Sequence, residues 1–156
     1  MTHVQAALVN WELDWEHPSG RDRAELIADL PLFSRMSARR RRELARTARV
    51  AEYRKGDVVL VSGEHADDLY VVISGRAKTY SKSGTGMVAD GDAFGELGLI
   101  DGAPRSASVI ADGDLHVMRI PGSTFREAVE RDPQLALEVV RELTARLRRA
   151  ERSQSG

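Results

Sequence analysis

The sequence predicts an α+β protein in which a small antiparallel barrel or jelly roll lies between helices. Apolar residues recur at helical spacing before residue 49 and again after residue 121. Between these regions, short apolar runs alternate with glycine-containing turns about every eight to twelve residues, which is typical of such a sheet. At 156 residues the chain has the length of one domain that folds alone.

The composition argues against several classes of function. The 23 Lys and Arg nearly cancel the 24 Asp and Glu, so no overall field favours nucleic acid or a membrane surface. The absence of cysteine excludes disulfides, thiolate metal sites and cysteine nucleophiles. No apolar run approaches about 18 residues and the N-terminus lacks the pattern of a secretory leader, so we expect a cytoplasmic protein.

Residues 1–20 predict an amphipathic N-terminal segment. Val4, Leu8, Trp11 and Trp15 recur at helical spacing, and the run His-Pro-Ser-Gly at 17–20 ends the pattern. Two interpretations stay open. The segment is either a helix that docks on a partner, or a helix that packs its tryptophans on its own domain.

Residues 21–49 predict a helical lead-in with a break at Pro31 and an N-cap at Ser37. The second helix carries four consecutive arginines at 39–42. Because four neighbours spread around a helix axis, they cannot all face one nucleic-acid groove, and we interpret them as a solvated face.

Residues 50–120 predict the strands of the barrel or roll, and residues 122–152 predict two C-terminal helices followed by a tail at 153–156. The candidate strands are 58–61, 69–73, 77–80, 87–89, 108–110 and 115–120. In the last helix, apolar residues alternate by four and three over about two heptads, at Ala136, Val140, Leu143, Leu147 and Ala150. This spacing suits either a homodimer seam or packing against the chain's own sheet.

The most specific motif is FGELGLIDGAPRSA, at residues 94–107. It sets the carboxylate of Glu96 and the guanidinium of Arg105 nine positions apart, with glycines around the first. A ligand with a ribose hydroxyl and a phosphate needs such a pair, because the carboxylate accepts from the hydroxyl and the guanidinium holds the phosphate oxygens. Small residues let backbone N–H groups approach the anion.

This motif resembles, residue for residue and without a gap, the phosphate-binding cassette of cyclic nucleotide-binding domains. That family includes the catabolite activator protein, the regulatory subunits of cAMP-dependent protein kinase and the cyclic-nucleotide-gated channels. The resemblance covers roughly residues 30–150 and implies an antiparallel β-roll of about eight strands. It implies ligand contacts from Gly95, Glu96, Leu97, Gly98, Arg105 and Ser106, with Glu96 on the ribose and Arg105 on the phosphate.

The implied function is a single-domain receptor that binds a cyclic nucleotide and signals through its terminal helices to a separate effector. Ser106 suits cAMP and cGMP, and we favour cAMP. Base contacts are expected from residues 87–89 and from Leu143, Arg146 or Leu147, with Gly122 as a hinge. The alternative is a fold that has lost its ligand and acts as a protein–protein interaction module.

We expect neither catalysis nor direct binding of DNA. The four histidines lack the spacing of metal ligands, and no serine occupies a nucleophile elbow, so neither a metal nor an enzyme is expected. The bacterial activators continue into a helix-turn-helix domain after the helix that corresponds to the last one here. Because the sequence ends at Gly156, direct contact with nucleic acid is not expected.

Overall fold

A computed structural model of the chain describes residues 23–65 and 67–154, without the side chains of Glu96, Leu97, Ser153 and Gln154. The predicted amphipathic segment at 1–20 lies outside these residues, as does the end of the predicted tail. Within the described ranges, no helix is long and apolar enough to cross a bilayer.

From residue 23 onward, where the description begins, two α-helices precede the sheets. Helix α1 (Arg23–Asp29) leads through a 3₁₀ turn at Pro31–Phe33 into α2 (Ala38–Thr47). The predicted N-cap is confirmed, because the Ser37 hydroxyl accepts from the backbone N–H of Arg40 at 3.3 Å. Of the four arginines, those at 39, 40 and 42 are exposed and the one at 41 is half-buried. Helix α2 ends at Thr47, and Arg49, the last residue of the predicted lead-in, already pairs with Arg119 in a strand ladder.

The predicted antiparallel roll is confirmed, with eight strands among the described residues. The strands are β1 Arg49–Tyr53, β2 Val58–Leu60, β3 Asp68–Ser74, β4 Arg76–Ser81, β5 Gly84–Ala89, β6 Ala93–Phe94, β7 Ala107–Ala111 and β8 Leu115–Pro121. They form two four-stranded sheets of order β1-β8-β3-β6 and β2-β7-β4-β5. A short helix α3 (Glu96–Asp101) connects β6 to the loop before β7. Helices α4 (Gly122–Arg131) and α5 (Pro133–Gln154) follow the last strand.

Strand β3 separates two apolar cores. Its side chains alternate, so that Leu69 and Val71 face the helices while Tyr70 and Val72 face the second sheet. The helix-side core also contains Phe33, Leu99, Met118, Ile120, Phe125 and Leu135. The inter-sheet core also contains Tyr53, Leu60, Phe94, Val109, Leu115 and Val117.

Helix α5 has a buried and an exposed apolar face. Leu135 and Val139 are buried, and Leu143 packs against the same helix-side core. Leu137, Val140 and Leu147 are exposed. Of the residues at the predicted heptad spacing, Leu143 packs against the chain's own core while Val140 and Leu147 are exposed, and the choice between the two interpretations stays a prediction.

Candidate ligand-binding site

The motif at 94–107 forms a loop that leaves the first sheet at β6 and enters the second sheet at β7. Gly95 has φ of 87° and precedes α3, while Gly102 has φ of 75° and ends it. Both values lie in the left-handed region that glycine adopts without strain. The sequence therefore determines both ends of the short helix.

Arg105 is buried, with 6% of its surface exposed, and is fixed at both its main chain and its side chain. Its Nη1 donates to the carbonyl of Gly95 at 2.7 Å, and its Nη2 donates to the carbonyl of Asp68 at 2.9 Å. Its backbone N–H donates to Glu64 and its carbonyl accepts from Gly63, both at 2.8 Å. Burial lowers the pKa of Arg105, and electrostatic interactions with Tyr70 and Asp68 oppose this shift. The guanidinium nevertheless stays a cation.

Arg105 faces a cavity of about 240 Å³ that lies between the second sheet, the motif and α5. Its apolar wall includes Leu60, Phe94 and Val109, which belong to the inter-sheet core or extend it. Of the predicted site residues, the structure brings together Gly95, Gly98, Arg105 and Ser106 in the lining. The side chains of Glu96 and Leu97 lie outside the described part, so their roles stay predictions.

The far wall of the cavity comes from β4, β5 and α5. Of the residues expected to contact the nucleobase, Met87, Val88 and Arg146 line this cavity, and their contacts with a base stay predictions. Arg146 donates from Nη2 to the carbonyl of Ala93 and lies 3.6 Å from the carboxylate of Glu142.

Leu143 and Leu147, which were expected as alternative contacts to the nucleobase, are absent from the cavity lining. Leu143 packs into the helix-side core, and Leu147 is exposed. Sequence reasoning missed Thr79, Glu142 and Arg149, which do line it. Glu142 lies four residues before Arg146 and Arg149 lies three residues after it, so the three share one helix face. This spacing was the signal from which Glu142 and Arg149 could have been predicted.

A charged and aromatic cluster lies beneath Arg105. Arg119 of β8 donates from Nε and Nη2 to Oδ2 of Asp68, at 3.1 and 2.7 Å. The ring of Tyr70 has the guanidinium carbons of Arg105 and Arg119 at 5.7 and 5.1 Å from its centroid. Tyr70 also stacks on Phe94, with 5.1 Å between ring centroids and 16° between planes. Sequence reasoning missed this cluster.

Tyr70 of this cluster and Tyr53, which interacts with Tyr70 and Arg119, are both held in the neutral form. Burial raises the pKa of Tyr53 to about 12, with a smaller contribution from Tyr70 and an opposing one from Arg119. Burial also raises the pKa of Tyr70, and Arg119 opposes this shift. Across the described ranges, no group of three or more histidine, aspartate or glutamate residues is arranged to hold a metal ion.

Known proteins are similar to this chain in sequence, and solved structures are similar to it in fold. The family model of the cyclic nucleotide-binding domain matches residues 50–132. A regulatory subunit of cAMP-dependent protein kinase from Mycosarcoma maydis is 33% identical over 108 residues, which are 66% of this chain and 21% of that protein. An uncharacterised NTE family protein of Mycobacterium bovis is 32% identical over 133 residues, 84% of this chain and 23% of that protein.

Among solved structures, the regulatory domain of Toxoplasma gondii PKA with cAMP superposes with a TM-score of 0.70 at 25% identity. The match covers 79% of this chain and 49% of that one. The chain thus spans about a fifth to a quarter of the two curated relatives. Because the family model covers more than half of its length and includes the motif around Arg105, this chain belongs to the cyclic nucleotide-binding domain family.

Proposed function

We propose that this domain binds a cyclic nucleotide monophosphate in the cavity beside Arg105. The observation that carries the proposal is that Arg105 is buried and forms no ion pair with any side chain that the structure describes. Its side-chain hydrogen bonds go to two neutral carbonyls. Buried charges require compensation, and the phosphate of a ligand supplies it.

The remaining features of the cavity suit the rest of a nucleotide. The apolar wall formed by Leu60, Phe94 and Val109 suits a purine face. Glu96, at the start of α3, is the residue that we assign to the ribose hydroxyl. Ser106 adds a hydroxyl beside Arg105. Similarity to a cAMP-dependent regulatory subunit and to a domain solved with cAMP supports cAMP over cGMP.

Calorimetric titration with cAMP and with cGMP tests this proposal. We expect a dissociation constant of micromolar or below for the wild-type domain, tighter for cAMP. Arg105→Ala should weaken binding at least about thirtyfold, because a buried phosphate loses its counter-ion. Arg39→Ala, which changes an exposed arginine of α2, is the matched control and should leave the affinity unchanged. Wild-type protein that gives neither heat nor a thermal shift with either nucleotide would contradict the proposal.

We further propose that α5 transmits binding as part of a receptor. The helix carries Glu142, Arg146 and Arg149 into the cavity, and Leu137, Val140 and Leu147 on its exposed face. The exposed residues follow three- and seven-residue spacing, which is that of a helix-pairing seam. A nucleotide that binds the domain better when α5 is in one position would shift the population toward that position. Both faces of the helix would then move together. The outer face would pair with a second copy of the chain, and a separate effector is the other candidate partner.

One observation favours the alternative of an interaction module without a ligand. The cavity of about 240 Å³ is below the roughly 300 Å³ at which small-molecule pockets usually begin, and Arg146 closes one side of it. Under the receptor proposal, α5 moves outward when nucleotide enters. Under the alternative, α5 stays in place and the cavity stays closed. The titration with cAMP and cGMP separates the receptor from the interaction module.

A further inference from the structure

Asp68 contacts two arginines through two different kinds of oxygen. Arg105 donates only to the main-chain carbonyl of Asp68, from Nη2 at 2.9 Å. Arg119 donates to the carboxylate of Asp68, from Nε and Nη2 at 3.1 and 2.7 Å. Both guanidinium groups lie within 6 Å of the centroid of the same Tyr70 ring. The charge of Asp68 also raises the pKa of Arg105, so its carboxylate, although bonded to Arg119, acts on both cations.

Which arginine the Asp68 carboxylate binds decides how much of the positive charge on Arg105 remains for a ligand. A carboxylate binds a guanidinium far more strongly than a neutral carbonyl does, and it often uses two donors at once. If the Asp68 carboxylate turned to Arg105, it would neutralise that cation and occupy the donors that a phosphate needs. An arginine has five N–H donors, and the two carbonyl contacts of Arg105 leave enough for a bidentate phosphate contact.

Asp67 is a weaker competitor than Asp68. Its side chain is 78% exposed and lies 3.4 Å from His65, so water screens it. The Asp68 side chain is only 21% exposed and that of Arg119 only 19%, so their attraction is screened much less. The described acidic group that matters most for Arg105 is therefore the one that Arg119 holds.

We propose that Arg119 is a positioning residue that keeps the Asp68 carboxylate away from Arg105 and so preserves Arg105 as an anion receptor. This inference rests on the proposed function, and it extends the site to a residue on β8 that is absent from the cavity lining. The carbonyl of Asp68 meanwhile orients Arg105 without cancelling its charge.

Four variants test the proposal by titration with cAMP, each with a melting curve as a measure of folding. Arg119→Met frees the Asp68 carboxylate, and we expect at least tenfold weaker binding. Asp68→Asn keeps the backbone carbonyl and should bind within about threefold of wild type. The double variant Asp68→Asn with Arg119→Met removes the competitor and should recover most of the lost affinity. Arg119→Lys keeps the ion pair and should bind nearly as wild type.

Recovery in the double variant is the decisive readout, because a merely structural role for the pair predicts a double variant as weak as Arg119→Met or weaker. That result, or wild-type affinity in Arg119→Met, would overturn the inference. If Arg119→Met does not fold, Arg119→Gln takes its place in the same comparison.

A crystal structure of the Arg119 variant separates this inference from the proposed function. It should show the Asp68 carboxylate within hydrogen-bond distance of Arg105, whether or not the domain binds nucleotide. A carboxylate that stays turned away from Arg105 would refute the inference. Wild-type protein without affinity for any cyclic nucleotide would instead refute the proposed function.

Discussion

At the scale of single residues, the site depends on how closely the chain approaches Arg105. A Cβ atom placed on Gly95 would lie 2.4 Å from Nη1 of Arg105 and 3.4 Å from the carbonyl of Asp68. The same nitrogen donates to the carbonyl of Gly95. Gly95 is therefore required both for its left-handed backbone and for the space that it leaves to the guanidinium.

Gly95→Ala should lower stability and ligand affinity together. An alanine at positive φ costs about 1–2 kcal/mol of unfolding free energy, and the new methyl group displaces Arg105 from its carbonyl partners. We expect at least tenfold weaker binding of cAMP by calorimetry. Gly56→Ala is the matched control, because Gly56 has φ of 91° with no heavy atom within 4 Å of an added Cβ. It should lose similar stability and keep its affinity. Equal affinity in the two variants would show that Arg105 tolerates displacement.

At the scale of elements, α5 joins the cavity to an outer surface. Its inner face reaches the cavity through Arg146, and its buried face packs on the helix-side core through Leu135 and Val139. Its outer face exposes Val140 and Leu147, at 56% and 60% of their surfaces. A movement of the helix at one face therefore changes the other two.

Replacing Val140 and Leu147 by Glu should abolish self-association. Charged side chains opposite their own copies repel each other and cannot be buried in a seam. Light scattering at several concentrations, with and without cAMP, should give a wild-type dimer and a monomeric variant. Ala145→Glu, on an exposed but different face of the same helix, is the control and should remain dimeric. A wild-type protein that is monomeric under both conditions would rule out the seam.

The elements that the sequence predicted are those with a strong local signal. Apolar runs bounded by glycine predicted most strands, and Ser37 predicted the start of α2. Strand β1 was missed because RVAEY is short and half polar, and its partner in the ladder, β8, comes from the distant residues 115–119. Strand β6 has only two residues, too few for a period.

The contacts between distant residues could not be predicted in the same way. Asp68 and Arg119 are 51 residues apart, and they meet because β3 pairs with β8 in one register. No local pattern determines that register. Gly122 was expected as a hinge, and the structure adds a steric reason for glycine, because a Cβ there would lie 2.5 Å from Cδ2 of Leu99. The hinge itself stays a prediction.

At the scale of the whole molecule, the inter-sheet core ties stability to pH. Tyr53 is buried between the sheets with a pKa raised from 10.0 to about 12. Because the folded state favours the neutral phenol, this contribution to stability is complete below pH 10. It is lost as the pH rises toward 12, where the unfolded chain releases the proton more readily.

Tyr53→Phe should therefore flatten the alkaline part of the stability curve. From pH 9 to about pH 12, urea unfolding of the wild-type domain should lose on the order of 2 kcal/mol through this group. The variant should lose correspondingly less over the same range, because it has no phenol to ionise at that position. Tyr80→Phe is the control, since Tyr80 is 39% exposed, and it should follow the wild-type curve. Parallel curves for wild type and Tyr53→Phe would contradict the assignment.

The position of Met87 has a practical consequence. Its side chain lines the cavity and is 50% exposed, so it reaches both the interior and the solvent. The sequence contains no cysteine, and a cysteine introduced at this position would be the single thiol in the chain. An environment-sensitive fluorophore attached there would change its emission as nucleotide displaced water from the rim. The domain could then serve as an optical sensor for its own ligand.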